Sequence, residues 1–361
     1  MQIDYSILKS EEDVIFKLRG LYRKYGYSCF KMSKFEEYDL YSQNKDFLVS
    51  DGVITFNDTN GKLMALKPDV TLSIVKNYRE AAGVERVYYN ENVYRISEKT
   101  SGYKEIMQTG LECLGDIDGY NLCEVVGLAA LSLEGISEKS VLNISHLGVV
   151  SEILFGIKSE SARRDLLKCI GEKNAHGIDE ICERCGAQSV TKELLKALTE
   201  AYGTAREVSS KIRELTDNRK ILDALELLEL VSEQVQTVTK ATVRADLSLI
   251  NDMNYYNGIV FQGFIEGAPS VVLSGGQYDK LMEKMGKKAG GIGFAVYLDL
   301  LERLKEKNSY DVDVLLLYRA EDDIKAVRKR AAELVAQGKS VSVQKSEPEK
   351  LVSREKEVFG E

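Results

Sequence analysis

The hydrophobic period of this chain changes twice, and the two changes limit the folds that it can adopt. Between about 28 and 145, short β-like runs such as EIMQTGLECLG alternate with turn-rich or charged loops, and helices are predicted at 70–80 and 120–134. Residues 150–236 contain no proline and repeat Leu, Ile and Val at three- and four-residue spacing, which predicts a helical insert. Period-two strands return after the insert, at NGIVFQGFIEG and SVVLSGGQYD. We therefore predict an α+β fold in which one mainly antiparallel sheet, flanked by helices, resumes beyond the insert.

The two ends of the chain carry further helix and strand patterns. Apolar residues from 11 to 25 form one helical stripe. An apolar run at 312–317, a helical pattern at 322–335 with Gly338 as its C-cap, and a short run at 341–343 predict one β-α-β unit. The charged segment SEPEKLVSREKEVFGE follows, and we predict no further strand in it.

Length and composition predict a soluble protein of two parts. A chain of 361 residues exceeds one typical domain, and we divide it into a core at 1–308 and a small or truncated α/β unit at 309–361. No basic cluster followed by an apolar run opens the chain, and no apolar stretch is long enough to span a membrane. The six scattered cysteines then predict reduced thiols and a cytoplasmic location.

The segment EIMQTGLECLG carries the most informative polar pattern. Because side chains alternate in a strand, Gln108, Gly110 and Glu112 share one face, and the face that includes Leu111 and Cys113 is mainly apolar. A glycine between an amide and a carboxylate leaves room for a ligand on the sheet. The alternative is a half-solvated strand whose polar face binds nothing, and the alternation alone does not decide between the two.

Five segments, taken together and in order, resemble the histidine-binding and class II motifs of the histidyl-tRNA synthetase family. They span about 66 to 301 and are LKPDVT, NVYRISEKTSGYKEIMQTGLE, NDMNYYNGIVF, SGGQYDKL and GIGFAVYLDLL. The resemblance implies a class II aminoacyl-tRNA synthetase-like antiparallel sheet and an anticodon-domain-like C-terminal unit. YGYSCFKMSKFEE also resembles the dimer-forming first motif, with Ser33 in place of its proline. Self-association as a core dimer is implied.

The resemblance also assigns a histidine site. Asp69 and Thr71 match the stretch that holds the α-amino group, and Arg95 matches the second-motif arginine. Gln108 and Glu112 match the amide and carboxylate of the second-motif strand. The predicted histidine-binding residues are Asp69, Thr71, Arg95, Gln108, Glu112, Tyr255 and Tyr256, where the two tyrosines match the pair that closes over the imidazole.

The ATP half of the family's site is depleted of positive charge. Asn251, Gln277 and Leu300 align with arginines of the family. A guanidinium is suited to phosphate binding because it is planar, permanently charged and bidentate, and losing one such donor commonly costs ~100 to 1000-fold in rate. Ser97 replaces an acidic partner, Lys104 is the nearest match to a further loop arginine, and Tyr297 replaces a small glycine near the adenine side. We therefore predict a chain that does not adenylate histidine.

A kept histidine site, a lost ATP site and a reduced tail are features of the branch of this family formed by the regulatory subunits of ATP phosphoribosyltransferase. That resemblance implies a non-catalytic subunit without a cofactor, which forms a hetero-octamer with a short catalytic subunit and responds to histidine as feedback effector. The net charge of -8 disfavours tRNA as a partner. The alternatives are a divergent but active histidyl-tRNA synthetase and a synthetase-like binding protein that serves another enzyme.

Three other features predict no additional site. Cys169, His176, Cys182 and Cys185 include one CxxC pair, but they lie in helical sequence, so we predict no metal. His146 ends an apolar strand and is predicted to be structural. SGGQYD lacks the Lys-Ser/Thr of a phosphate-binding loop.

Overall fold

A computed structural model describes residues 8–48, 52–80, 83–96, 102–250, 253, 255–301 and 310–360. Internal contacts divide the chain into two units, Met1–Glu302 and Arg303–Glu361. Among the described residues, no helix is both long and apolar enough to cross a membrane.

The helices are α1 Ser10–Lys24, α2 Tyr38–Ser42, α3 Thr71–Asn77, α4 Gly119–Ile136, α5 Leu147–Phe155, α6 Glu160–Gly171, α7 Ala175–Cys185, α8 Ser189–Glu200, α9 Ala205–Arg213, α10 Arg219–Val238, α11 Asp279–Lys284 and α12 Ile324–Ala336. The strands are β1 Ser28–Cys29, β2 Phe35–Glu37, β3 Thr55–Asn57, β4 Leu63–Leu66, β5 Val84–Ile96, β6 Tyr103–Gly115, β7 Ser140–His146, β8 Tyr202–Gly203, β9 Thr242–Asp246, β10 Ile259–Ile265, β11 Leu273–Gln277, β12 Gly290–Tyr297, β13 Val312–Leu317, β14 Val341–Gln344 and β15 Ser353–Val358. Short 3₁₀ turns lie at Lys45–Phe47 and Leu298–Leu300. The sequence GIGFAVYLDLLERL predicts a strand that runs into a helix. In the structure β12 is followed first by the 3₁₀ turn at Leu298–Leu300, and residues 302–309 lie outside the described part of the chain.

The large sheet is mainly antiparallel, as the sequence predicts. Within the described residues it has nine strands in the order β1-β5-β6-β12-β11-β10-β7-β9-β8. Of the pairs formed by the described strands of this sheet, only β1–β5 and β7–β9 are parallel. The predicted insert lies between β7 and β9 as helices α5 to α10, interrupted by the two-residue strand β8.

One face of the sheet is covered by helices α1 and α4, and α10 packs against α4. Helix α4 begins at a reciprocal cap, in which the Asp118 carboxylate accepts from the Asn121 backbone N–H at 2.9 Å and the Asn121 side chain accepts from the Asp118 N–H at 3.2 Å. The Tyr22 hydroxyl of α1 contacts the Ser132 hydroxyl of α4 at 3.0 Å, and the Tyr22 ring packs edge-on against Phe294 of β12. This face is the apolar one that the alternation in β6 predicts.

The opposite face carries a second core that includes aromatic side chains. Helix α3 and the residues around the small antiparallel sheet β2-β4-β3 pack there. The buried members of this cluster include Tyr41, Phe47, Val70, Leu72, Val75, Tyr89, Tyr255 and Tyr278. The polar strand face of β6 is therefore enclosed between the sheet and this core.

The C-terminal unit contains a strand that the sequence analysis missed. Its parallel sheet has the order β14-β13-β15, and β15 lies in the segment for which no strand was predicted. The prediction failed because β15 is an edge strand without alternating apolar residues. Its side chains form ion pairs instead: Glu357 binds Arg330 of α12 at 2.7 Å, and Glu355 binds Lys339 at 2.9 Å. Gly338 ends α12 with φ +83°, as a C-cap glycine does.

Candidate ligand-binding site

A polar cavity lies between the sheet and the second core. It holds about 590 Å³ of space, counting the part open to solvent, which is within the range of small-molecule sites. Its described lining includes all seven residues that the resemblance assigned: Asp69, Thr71, Arg95, Gln108, Glu112, Tyr255 and Tyr256. It also includes Val70, Tyr89, Ser274, Tyr278, Gly293, Phe294, Ala295 and Tyr297. The fold thus brings together residues that are far apart in the sequence.

The floor of the cavity is the even-numbered face of β6. Gln108 is 3% exposed and Glu112 is 2% exposed, so the half-solvated alternative for this strand is wrong. Across the ladder to β12, Glu112 lies opposite Gly293 and Gln108 lies opposite Tyr297. A Cβ on Gly293 would overlap the Glu112 carboxylate, because the side chain crosses above that glycine. Glycine at 293 is therefore required for Glu112 to lie along the sheet.

Glu112 is held by two hydroxyl groups. Thr71, at the start of α3, donates to Oε1 at 2.7 Å, and Tyr278, just after β11, donates to Oε2 at 2.6 Å. Burial raises the pKa of the Glu112 carboxyl to about 8, and the nearby Asp69 charge adds to the rise, while the two hydroxyl hydrogen bonds oppose it. Burial likewise raises the pKa of Tyr278, which remains a neutral donor.

Asp69 provides a second buried carboxylate. Its Oδ1 accepts from the Leu72 backbone N–H at 2.8 Å, in the first turn of α3. Burial raises the pKa of Asp69, and the Leu72 hydrogen bond and the Arg95 charge oppose that rise. The cavity therefore contains two carboxyl groups, either of which can receive an N–H donor from a ligand.

Arg95 of β5 is the one cation among the described residues that line the cavity. Its Nε donates to the Pro68 carbonyl at 3.1 Å, and it forms no ion pair with any described carboxylate. The segment that it contacts is tied to β5 twice more, by Tyr94 N–H donating to Lys67 O at 2.8 Å and by the buried Lys67 ammonium bonding Glu91 at 2.8 Å. Arg95 is thus fixed at its Nε, and its guanidinium is not neutralised by a described protein carboxylate.

Gln108 is a buried polar residue of the cavity lining whose side chain has no hydrogen-bond partner among the described residues. No described residue hydrogen-bonds its side-chain amide, although the residue is almost wholly enclosed and lines the cavity. Burying an amide without a hydrogen bond costs free energy that a bound ligand recovers. This amide is therefore suited to hydrogen-bond a ligand that occupies the cavity.

Aromatic rings close the remaining side. The Tyr255 and Tyr256 ring centroids are 4.6 Å apart, and Tyr255 also packs edge-on against Tyr278 at 6.0 Å and Phe47 at 6.2 Å. Tyr255 is buried, while Tyr256 is only partly buried. The two rings are tilted by 59° to each other, so the pair closes this side of the cavity with aromatic surface.

The residues that differ from the ATP-binding half of the family's site are found in different parts of the structure. Gln277 does not line the cavity, because its Oε1 accepts from the Ile259 backbone N–H at 2.8 Å and so joins β10 to β11. Leu300 ends the 3₁₀ turn after β12, and Lys104 is exposed near the start of β6. Ser97 and Asn251 lie outside the described residues. Tyr297 lines the cavity, where burial raises its pKa against the opposing charge of Arg95.

Sequence reasoning did not single out Tyr278 and Tyr89 as site residues. Tyr278 belongs to the SGGQYDKL segment that carries the resemblance, but its contact with Glu112 depends on the turn after β11. Tyr89 lies opposite Gly110 in the ladder between β5 and β6, and its pairing partner could be found only with the register known. The sequence signal that could have identified Tyr89 is the alternation of β5, because Tyr89, Glu91 and Arg95 lie on the same face of that strand.

The cysteine and histidine residues outside the cavity make structural contacts. Cys169 and Cys182 are buried in α6 and α7, and the exposed His176 pairs with Glu180 at 3.3 Å. In the part of the chain that the structure describes, no group of three or more His, Cys, Asp or Glu could hold a metal ion. His146 accepts from the Gly148 N–H at 3.1 Å as the cap of α5, and burial lowers the pKa of its imidazole to about 4.

Two named proteins are similar to this chain in sequence over most of its length. A protein of Ruminiclostridium cellulolyticum named ATP phosphoribosyltransferase regulatory subunit is 27% identical over 334 residues, 88% of this chain and 78% of the relative. A histidine–tRNA ligase of Methanococcus vannielii is 29% identical over 309 residues, 81% of this chain and 71% of the relative.

Two solved structures match the fold. An ATP phosphoribosyltransferase regulatory subunit/histidyl-tRNA synthetase from Bacillus halodurans superposes with a TM-score of 0.74 at 24% identity, covering 93% of this chain and 88% of the other. A chain of the ATP phosphoribosyl transferase (HisG:HisZ) complex from Thermotoga maritima gives 0.64 at 21% identity, covering 80% and 97%. The predicted class II synthetase-like α+β fold is confirmed.

The family model described as histidyl-tRNA synthetase matches residues 6–301, which is most of the chain. The match includes every residue that lines the cavity. This protein therefore belongs to the histidyl-tRNA synthetase family.

Proposed function

We propose that this chain is the regulatory subunit of ATP phosphoribosyltransferase, required for the first step of histidine biosynthesis, and that its cavity binds histidine. The family match and the names of several relatives support the first part. The observation that supports the second part is that one cavity holds an amide without a described partner, two buried carboxyl groups and one cation among its described lining residues.

Histidine fits this set of groups. Asp69 and Thr71 accept the α-ammonium group, and Arg95 and Gln108 bind the carboxylate. Glu112 faces one ring nitrogen and Tyr256 the other, so that the ring is recognised at both ends. Tyr255 packs against the Tyr256 ring at the same side of the cavity. No cofactor enters this proposal.

The chain is proposed to lack adenylation activity. ATP carries about four negative charges, and the described lining of the cavity offers one arginine to neutralise them. Gln277 is a neutral side chain whose Oε1 accepts a backbone hydrogen bond, and it is not among the described residues that line the cavity. Tyr297 adds a bulky ring to the Arg95 side of the cavity.

The proposed partner is the short catalytic subunit of ATP phosphoribosyltransferase. We propose that this chain forms a core dimer within a hetero-octamer and that histidine is its feedback effector. We also propose that it binds tRNA only weakly and non-specifically, and that it is located in the cytoplasm.

The test of the proposed partner is to mix the purified full chain with a short catalytic subunit of the same organism. Formation of a complex with a raised rate of phosphoribosyl transfer supports the proposal, and neither complex nor rate change contradicts it.

One observation favours a second candidate, a divergent histidyl-tRNA synthetase. The histidine–tRNA ligase of M. vannielii is 29% identical, slightly more than the regulatory subunit named above. The two candidates differ in one reaction, the histidine-dependent exchange of pyrophosphate into ATP. A synthetase carries it out, and the regulatory subunit does not.

A further inference from the structure

Among the described residues, no cation lies beside Glu112 in the cavity. Its two oxygens accept hydrogen bonds from the Thr71 and Tyr278 hydroxyls, which supply donors but no positive charge. The other titratable groups that influence it are also neutral or acidic: Asp69 from the loop before α3, Tyr89 from β5, Tyr255 before β10 and Cys113 from β6 itself. Arg95 lies at the other end of the cavity, where its Nε donates to the Pro68 carbonyl.

A buried carboxylate in this setting is costly, and the group keeps a proton instead. Burial, aided by the Asp69 charge, raises the pKa of Glu112 to about 8. At neutral pH the empty cavity therefore holds Glu112 as a carboxylic acid. One of its two hydroxyl partners then accepts a hydrogen bond where it otherwise donates one.

We infer that Glu112 and the imidazole of a bound histidine hold one proton between them, so that this end of the cavity selects a ring nitrogen able to accept a proton. The inference rests on the histidine-binding role proposed above. The O–H bond of Glu112 breaks, or lengthens into a shared hydrogen bond, as the N–H bond on the ring forms. No proton enters or leaves, and the resulting imidazolium is the cation that Glu112 lacks in the empty cavity.

This proton count fixes how affinity depends on pH. The imidazole of free histidine is protonated below a pH of about 6.5 and Glu112 is protonated below about 8, so between these values the separate partners hold one proton, as the complex does. Above about 8, Glu112 has lost its proton and the complex must take one from solvent. Affinity then falls by about tenfold per pH unit. Below about 6.5 both partners are protonated, one proton must be released, and affinity falls again.

The test compares the wild-type chain with Glu112→Gln, which keeps an amide in place of the acid but has no proton to share. Histidine affinity is measured by calorimetry from a pH of about 5.5 to about 9.5. Because the ligand's own groups titrate identically in both experiments, the ratio of the two affinities isolates Glu112. We expect a ratio that is constant up to about pH 8 and then declines by about tenfold per unit. A ratio independent of pH throughout overturns the inference.

A second measurement uses only the wild-type chain, and so holds even if the variant does not fold. Binding enthalpies in two buffers of different ionisation enthalpy give the number of protons exchanged. We expect none at about pH 7 and uptake of more than half a proton at about pH 8.5. Release of a proton at pH 7 overturns the inference, because it shows that Glu112 gives its proton to solvent.

An analogue tests the selection for a basic ring. 2-Fluorohistidine has nearly the same shape, but fluorine makes its ring much less basic. It is expected to bind the wild-type chain at least about tenfold more weakly than histidine does. The difference in affinity between the two ligands is expected to be smaller for Glu112→Gln. Equal affinity of the wild-type chain for the two ligands contradicts the inference. Should histidine bind at no pH, the proposed function fails as well; should it bind and inhibit the assembled enzyme without the alkaline loss of affinity, only this inference fails.

Discussion

The two ends of the cavity differ in how completely their polar groups are satisfied by the protein. At the Glu112 end, both carboxylate oxygens are hydrogen-bonded, and Gly293 leaves the space that the side chain occupies. At the Arg95 end, only Nε has a described hydrogen-bond partner, and Tyr297 is the neighbouring ring. The first end holds a carboxyl group in one fixed position, and the second holds the one cation among the described lining residues. This contrast fits the proposal that the cavity binds histidine but does not support its adenylation.

The largest expected effect concerns the Arg95 end. The purified chain is expected to show no histidine-dependent ATP–pyrophosphate exchange, because losing even one donor of this kind costs ~100 to 1000-fold and the resemblance assigns three such losses, at Asn251, Gln277 and Leu300. The measurement is the exchange assay, with an active histidyl-tRNA synthetase in parallel as control. Exchange at the rate of that control would show that the two ends are both functional and would support the second candidate.

The next effect probes the space at the Glu112 end. Gly293→Ala places a Cβ onto the Glu112 carboxylate and within 2.5 Å of the Leu111 carbonyl. Such overpacking is expected to lower the free energy of unfolding by about 1–3 kcal/mol and to abolish detectable histidine binding, since Glu112 must leave its position. Denaturant unfolding and calorimetry measure the two effects. The matched control is Gly20→Ala in α1, where a Cβ meets nothing within 4 Å, and a similar loss of stability in both variants would contradict the steric argument.

Removing the carboxylate itself is expected to have a smaller effect. Glu112→Ala eliminates a charge-assisted hydrogen bond worth about 1.5–3 kcal/mol, so histidine binding weakens by about one to two powers of ten. The apolar face of β6 is unchanged, and we expect the complex with the catalytic subunit to survive while feedback inhibition is lost. Calorimetry and an inhibition curve on the assembled complex test this, with the exposed Glu105→Ala on the same strand as control. Unchanged values for Glu112→Ala would place the inhibitory site elsewhere.

The smallest effect is expected at Gln108, which lies between the two ends. Gln108→Leu removes a buried amide that bonds no described residue, so the free energy of unfolding should stay the same or rise. Histidine binding should weaken by about two- to tenfold, the value of one neutral hydrogen bond. Thermal unfolding and calorimetry on the same sample separate the two. A marked loss of stability without a loss of affinity would indicate that Gln108 serves the fold and not the ligand.

The sequence by itself determined the sheet with its helical insert and, through the resemblance, seven of the fifteen described residues that line the cavity. Periodicity sufficed for β6 because mainly apolar side chains follow one face of the strand and polar side chains follow the other, and this period of two is visible in the sequence alone. Periodicity failed for β15, where ion pairs to α12 and Lys339 replace an apolar face. The seven histidine-site residues came from the resemblance of ordered motifs, not from periodicity.

Only the tertiary structure decided how these residues act together. Alternation placed Gln108 and Glu112 on one face of a strand, but it left open whether that face meets water or a second core. The structure encloses it, because α3 and the loop that carries Tyr278 come from segments about 40 and 166 residues away and place hydroxyls against Glu112. The raised pKa of Glu112 follows from that enclosure and not from its neighbours in sequence, since desolvation depends on which distant segments exclude water.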